Sequence, residues 1–345
     1  MIKTIKNNIP QFLIIIFAAV LFITTLFLGM NTKDLVNDLV TRIFMNGLLA
    51  LSLLPMLRSG AGINFGLPIG AVAGLIGMVI SIELGFKNFS GFIAAIVILI
   101  PFAYLFGYLY GKLLNIVRGN EEIAATFAGF SFVSLMCLFW AAAPFSHPQM
   151  MWPIGGKGLR PVIGLKNFFG RSLTGLWNFS PWGINIPLGL ILLFSFFVII
   201  FIIYSHSRRG IAMHAAGKNE IFTTLSGIDV DKVKIESVIY STILAAAGIC
   251  IYAQSYGFLE LYEAPLMMAF PAASAILIGG GNGTKTTIAH VFLGILLYQS
   301  IYLLSTPVAN AILIPETTEI LRMIISNGII LYALFSGSKV KYGTD

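Results

Sequence analysis

Five aspartates, nine glutamates, four histidines and two cysteines are the carboxylates, imidazoles and thiols available to this 345-residue chain. Their spacing removes more chemistry than it suggests. Asp34, Asp38, Asp229, Asp231 and Asp345 fall in predicted loops or at the terminus, which leaves no pair for an intramembrane aspartyl protease or an Asp-rich prenyltransferase. Neither His-Glu-x-x-His nor Gly-x-Ser-x-Gly occurs, so zinc-peptidase and serine-hydrolase chemistry lack their residues. His147, His206, His214 and His290 are scattered. His290 is expected as an internally bonded core polar, and Cys137 and Cys250 as packing residues without a disulfide. Gly279-Gly280-Gly281-Asn282-Gly283-Thr284-Lys285-Thr286 approaches a phosphate loop, but Thr284 replaces the glycine before the lysine and no aspartate lies near. A tight turn after a broken helix is the reading it supports. Buried carboxylates for proton-driven transport are missing as well: Glu83, Glu121, Glu122, Glu236, Glu260, Glu263, Glu316 and Glu319 all fall near span ends or in loops. Glu319 and Arg322, three residues apart, can neutralise each other.

The elements that hold these residues are membrane spans. Hydrophobic residues make up 57% of the chain and charged residues 10%, with a mean hydropathy of +0.91. Soluble domains carry roughly 25% charged residues, so a soluble globule of this composition would expose large apolar patches. The composition is too apolar for disorder, and two cysteines cannot make a disulfide framework. A span takes about 20 apolar residues, which places spans near 11–30, 40–57, 61–82, 90–111, 122–143, 183–204, 235–255, 265–279, 286–305 and 318–336. The third, with Gly62, Asn64, Gly66, Pro68, Gly70, Gly74 and Gly77, and the eighth, with Pro265 and Pro271, read as broken helices of the bundle interior. The first is a retained helix, too long for the core of a signal peptide.

Charge orients the bundle. Thirteen of the 21 Lys and Arg fall in 1–10, 58–60, 112–121, 205–234, 280–285 and 337–345. Six (Lys33, Lys87, Lys157, Arg160, Lys166 and Arg171) fall on the other side, and Arg42 and Arg322 lie within spans. The positive-inside rule then puts both termini in the cytoplasm. The +7 balance is an orientation signal, and no nucleic-acid partner is expected.

The cytoplasmic loop 205–234 is patterned too regularly for a linker. Asn219 can cap a helix, Glu220 suits its positive end, and Gly227 supplies its stop. Ile221, Phe222 and Leu225 form an apolar knob on about two turns. Left alone, such a helix is marginal, so it either folds back on its own bundle or docks in a partner's groove.

Ala216-Gly217-Lys218-Asn219-Glu220, continuing through Leu225-Ser226-Gly227-Ile228-Asp229-Val230 to Lys234, resembles the coupling-loop motif of ABC importer permeases. The branch it resembles serves ribose and other simple sugars or nucleosides, with branched-chain amino-acid permeases as a distant arm. Ser241…Ala245-Ala246-Ala247-Gly248-Ile249, the Ile278–Gly283 turn with Gly294, Gly62-Ile63-Asn64-Phe65-Gly66 and Glu121-Glu122-Ile123-Ala124-Ala125-Thr126 are similar to further stretches of that branch. The likeness extends over about 61–305.

The resemblance implies an all-α polytopic membrane protein of ten helices in two inverted repeats (about 40–143 and 235–336). The whole chain would be one transmembrane permease domain in a bacterial plasma membrane, surrounded by lipids. It also implies a second permease subunit, identical or different, a cytoplasmic ABC ATPase and an external substrate-binding protein. No catalytic, metal or cofactor site is implied, because ATP would be bound by the ATPase. Gly217, Asn219, Glu220, Ile221, Phe222, Leu225, Ser226 and Gly227 would couple to that ATPase. The family commonly has small residues where this chain has Ile221-Phe222, which puts exchange of ATPases with a relative in doubt. Asn64, Thr126, Ser131, Ser134, Ser274 and Asn282 are candidates for the translocation path, each equally able to bond between helices. The external loop 144–182, with Trp152, Trp177 and Trp182, would receive the binding protein or form an interfacial belt. A path almost free of charge suits an uncharged, hydroxyl-rich solute, a simple sugar or nucleoside, without separating one from another or from riboflavin. A stand-alone secondary transporter is the alternative.

Overall fold

Apolar runs become helices, and caps and glycines decide where each one stops. In the computed structural model, which describes residues 2–152, 156–175, 178–179, 185–281 and 283–312 with single positions at 320, 324 and 328, α1 spans Ile2–Phe27 and α2 spans Thr32–Leu51. Asn31 starts α2 by accepting the Lys33 N–H at 3.2 Å. A short α3 (Leu54–Ser59) follows, with Pro55 in its first turn and Gly60 at φ +79° as its stop. Next come α4 (Leu67–Glu83), α5 (Asn88–Ile116), α6 (Glu121–Ala142), α7 (Leu188–His206), α8 (Arg208–Lys218), α9 (Glu220–Leu225) and α10 (Val230–Tyr256). A 3-10 turn (Ala264–Met268) leads into α11 (Ala269–Ile278), and α12 spans Ile288–Ile312.

Short strands trim one end of the bundle. β1 (Val162–Gly164) pairs antiparallel with β4 (Phe258–Glu260) in the register Val162↔Glu260, and β2 (Asn178–Phe179) pairs with β3 (Ile186–Pro187). The loop around β1 has its own apolar filling, with Leu159, Ile163, Leu165, Phe168 and Phe169 buried. At the start of this loop the Glu83 carboxylate accepts the Ser146 and His147 N–H groups at 3.0 and 3.1 Å.

Six helical stretches are long and apolar enough to cross a membrane, and Gln11–Phe27, Leu67–Glu83 and Ala264–Ile278 are shorter apolar helices. Together they meet the first nine predicted spans. The tenth, 318–336, lies outside the described residues apart from the three single positions. Burial separates interior from periphery: 72% of the apolar window of α10 is buried, against 28% for α6 and 22% for α7.

The broken third span needs correction. Its irregular part is confined to Ala61–Gly66, and α4 continues unbroken through Gly70, Gly74 and Gly77. These glycines set helix separation. A Cβ on Gly74 would sit 2.4 Å from Ala246 O of α10, and one on Gly77 2.6 Å from Ala95 O of α5. The second span, in turn, is divided at Ser52–Leu53 into α2 and α3. His290 is also not interior. It is half-buried at the start of α12, where it and Thr287 bond reciprocally at 3.2 and 3.4 Å.

Candidate coupling site and translocation residues

Three consecutive caps build a platform at one end of the bundle. Ser207 Oγ accepts the Gly210 N–H at 3.3 Å and starts α8. Asn219 closes α8 and opens α9 in one residue: its extended backbone turns the chain while its Oδ1 accepts the Phe222 N–H at 2.9 Å. Gly227, at φ +80°, ends α9. Its N–H reaches Thr224 O at 3.0 Å and the Ile228 N–H reaches Thr223 O at 3.2 Å, the paired bonds of a Schellman turn. Asp229 then caps α10 through the Lys232 N–H at 3.2 Å.

A six-residue helix cannot hold itself, and tertiary contacts secure this one. Thr223 is buried beneath it, its Oγ1 donating to Asn219 O at 2.8 Å. The Glu220 carboxylate pairs with the ammonium of Lys234, a side chain only 10% exposed on α10. On the other face Ile221, Phe222 and Leu225 are 75%, 66% and 82% exposed. An apolar knob left bare on a rigid support is the form of a docking surface.

The platform is seated as firmly below. A Cβ on Gly217 would lie 2.1 Å from Arg58 O, so only glycine lets α8 rest on the end of α3. Arg58 donates from Nε to Thr286 O at 3.1 Å, places Nη1 3.3 Å from His214 Nε2 and lies 5.2 Å from the centre of the Phe201 ring. One guanidinium therefore ties α8 to α3, α7 and the turn before α12. Burial, and then the charges of Arg58, Lys218 and His206, hold the His214 imidazole below its usual pKa.

The path candidates fall into two environments. Asn64 is buried, its Nδ2 donating to Ser241 Oγ of α10 at 2.7 Å and its Oδ1 accepting from Tyr110 Oη of α5 at 2.9 Å. Ser274 is buried in α11 with no hydrogen-bond partner for Oγ among the described residues. Thr126, half-buried, and Ser131 and Ser134, exposed, lie on α6; Thr126 donates to Glu122 O and Ser134 to Phe130 O, each at 2.9 Å. α6 buries one stripe (Ala125, Gly129, Val133, Met136, Trp140) and leaves Phe127, Phe130, Leu135 and Leu138 uncovered beside those hydroxyls. Asn282, Trp177 and Trp182 lie outside the described residues.

Sequence reasoning missed the anchors. Lys234 is fourteen residues from Glu220 across a helix break, and Arg58 is 156 residues from His214, so no periodicity announces either pair. The helix α8 itself also went unread, although Ser207 in its N-cap position signals it.

The family described as branched-chain amino acid transport system / permease component matches residues 35–334. No curated protein matches the chain. One solved structure, described as an inward-facing metal-chelate type ABC transporter, is similar over 94% of this chain and 98% of its own at 13% identity and a TM-score of 0.43. The family match takes in the interior helices and the α8–α9 platform alike, and by it this chain belongs to the branched-chain amino acid transport system permease components, the membrane subunits of ABC transporters.

Proposed function

We propose that this permease carries a small, uncharged, hydroxyl-rich solute (a simple sugar or a nucleoside) inward between two permease subunits, driven by a cytoplasmic ATPase that grips α9. The observation that carries the driving step is the α9 knob, capped at both ends, clamped by Glu220–Lys234 and apolar on its free face. Closure of the ATPases on ATP would push α9, and through Arg58 and Lys234 the push reaches α3 and α10, of which α10 packs against interior α4. The chain itself makes and breaks no covalent bond in this scheme; it holds two access states whose balance its partners bias. Ten spans in two inverted repeats, cytoplasmic termini, a bacterial plasma membrane and an external binding protein docking on the loop 144–182 complete the reading. Support for the solute class is chemical: the polar candidates on α6 and α11 are neutral hydroxyls that can bond to a polyol without a counter-charge.

A second reading has its own support, because the matching family is described by branched-chain amino acid transport. Proteoliposomes holding the permease, its ATPase and the external binding protein, assayed with labelled ribose, adenosine and leucine, separate the two. ATP-dependent uptake of ribose or adenosine is expected, and uptake of leucine alone would transfer the assignment to amino acids. Accumulation by the permease without any ATPase would overturn both. Phe222→Asp is expected to weaken ATPase copurification about thirtyfold, the scale of a lost aromatic hot spot. Normal copurification and transport by that variant would remove α9 from the coupling role.

A further inference from the structure

At the end of the bundle away from α9, a cavity of about 490 Å³ opens among the second to fourth turns of α2, the loop before α7 and the C-terminal end of α10. Asp38, Thr41, Arg42, Arg171, Thr174 and Ser255 are among its lining residues. Its walls are pinned. Asn37 Oδ1 accepts the Asn185 N–H at 2.7 Å and fixes the loop to α2. Gln254, fully buried in the last turn of α10, accepts the Arg171 N–H on its backbone oxygen at 2.7 Å and the Leu173 N–H on its Oε1 at 3.1 Å. These bonds hold Arg171 at φ +56°, a left-handed conformation unusual for a long side chain and one that persists only where the surroundings impose it.

The cavity therefore has two arginines in its lining, Arg42 on a helix and Arg171 on a turn whose backbone is anchored twice. Neither makes an ion pair among the described residues. Arg42 lies over the face of Tyr302, 6.0 Å to its ring centre. Asp38 is the one carboxylate in the lining, so the wall carries a net charge of +1.

We propose that this cavity is a carboxylate-binding site, in which Arg42 and Arg171 share one carboxylate and the hydroxyls of Thr41, Thr174 and Ser255 take the polar remainder of the ligand. Guanidinium forks match carboxylates in shape and charge. A single negative charge balances the wall, whereas a phosphate dianion would set excess charge against Asp38. The volume falls in the range of small-molecule sites. The carboxylate is that of a free small acid, since a cavity of this volume holds a whole small molecule. This assignment stands on the cavity alone and does not depend on the role of α9.

Arginine-selective labelling with p-hydroxyphenylglyoxal, read residue by residue by mass spectrometry on the full chain in nanodiscs, tests it without any transport assay. Butyrate, a peptide bearing a single glutamate, and inorganic phosphate are the probes. Labelling of both Arg42 and Arg171 is expected to slow roughly tenfold near saturation, in proportion to the occupied fraction, while exposed Arg208 at the α9 end keeps its rate. Protection by butyrate is expected, and protection by the peptide alone would overturn the assignment to a free acid. Unchanged labelling with both probes, or stronger protection by phosphate than by either, would overturn the proposal. In Arg42→Gln the protection of Arg171 should vanish; its persistence would show that the two guanidiniums do not share a ligand.

Discussion

The Glu220–Lys234 pair is asymmetric, and that asymmetry makes a prediction. Lys234 is 10% exposed and Glu220 49%. Removing the carboxylate strands a buried ammonium, whereas removing the ammonium leaves a carboxylate that water can reach. Glu220→Gln should therefore cost more than Lys234→Met, by about 1 kcal/mol once the half-exposed partner is discounted. Hydrogen exchange at Glu220–Leu225 measures the difference, and equal losses would mean that the pair does not anchor α9. Asn219→Ala removes the cap that two helices share and should loosen the same segment by about 1 kcal/mol. His214 adds a pH dependence with a definite sign. Its folded pKa lies below the ordinary 6.5, so the stability it permits is complete above 6.5 and is lost as pH falls through that value toward the folded one. Amide exchange in α8 should accelerate on acidification below 6.5, and His214→Asn should flatten the response.

At the scale of elements, glycine divides into two kinds that composition does not distinguish. Gly74 sits where a Cβ would strike the backbone oxygen of Ala246 at 2.4 Å, while a Cβ on Gly129 in α6 would meet ordinary contacts of 3.5 Å or more. Gly74→Ala should destabilise the protein by about 1–3 kcal/mol through overpacking against a backbone that cannot yield. Gly129→Ala should be neutral or stabilising by up to about 1 kcal/mol, because alanine is the better helix residue. Thermal unfolding of the two variants in one detergent compares them directly. A matching loss in both would mean that helix separation is not what Gly74 sets. The same close approach governs α11 and α12, where a Cβ on Gly294 would fall 1.7 Å from Ala275 O.

Across the whole molecule, α10 works as a beam about 40 Å long. Lys234 joins it to α9 at one end, Ser237 meets Ser59 of α3 at 2.8 Å, Ser241 meets Asn64 in the middle, and Gln254 holds the Arg171 turn at the other end. A movement imposed on α9 thus has a hydrogen-bonded route through the interior. The uncovered face of α6 belongs to the same scale, because its hydroxyls lie among large apolar side chains that a lone subunit leaves bare. If that face lines a path between subunits, Ser131→Cys should react with a water-soluble maleimide in the assembled transporter, faster than a cysteine at Ile203 on α7. Reaction no faster than at Ile203 would place the α6 face against lipid.

The composition settles the membrane class, since too few charges exist to solvate a soluble surface. Local chemistry also makes α9 legible: Asn219, Glu220 and Gly227 cap and stop a helix through bonds that span only a few residues, so the signal and the structure occupy the same short window. Tertiary structure decided the rest. Whether Gly70 and Gly74 break a helix or bring two together depends on what stands opposite, and that partner lies about 170 residues further on in α10. Asn64 shows the same limit. Its amide suits a path or a strut equally well, and only the tertiary structure brings Tyr110 and Ser241 to its two ends. The Arg42–Arg171 cavity is likewise absent from any linear pattern, because two cations 129 positions apart line one cavity only when Asn37 and Gln254 hold a loop against α2 and the end of α10.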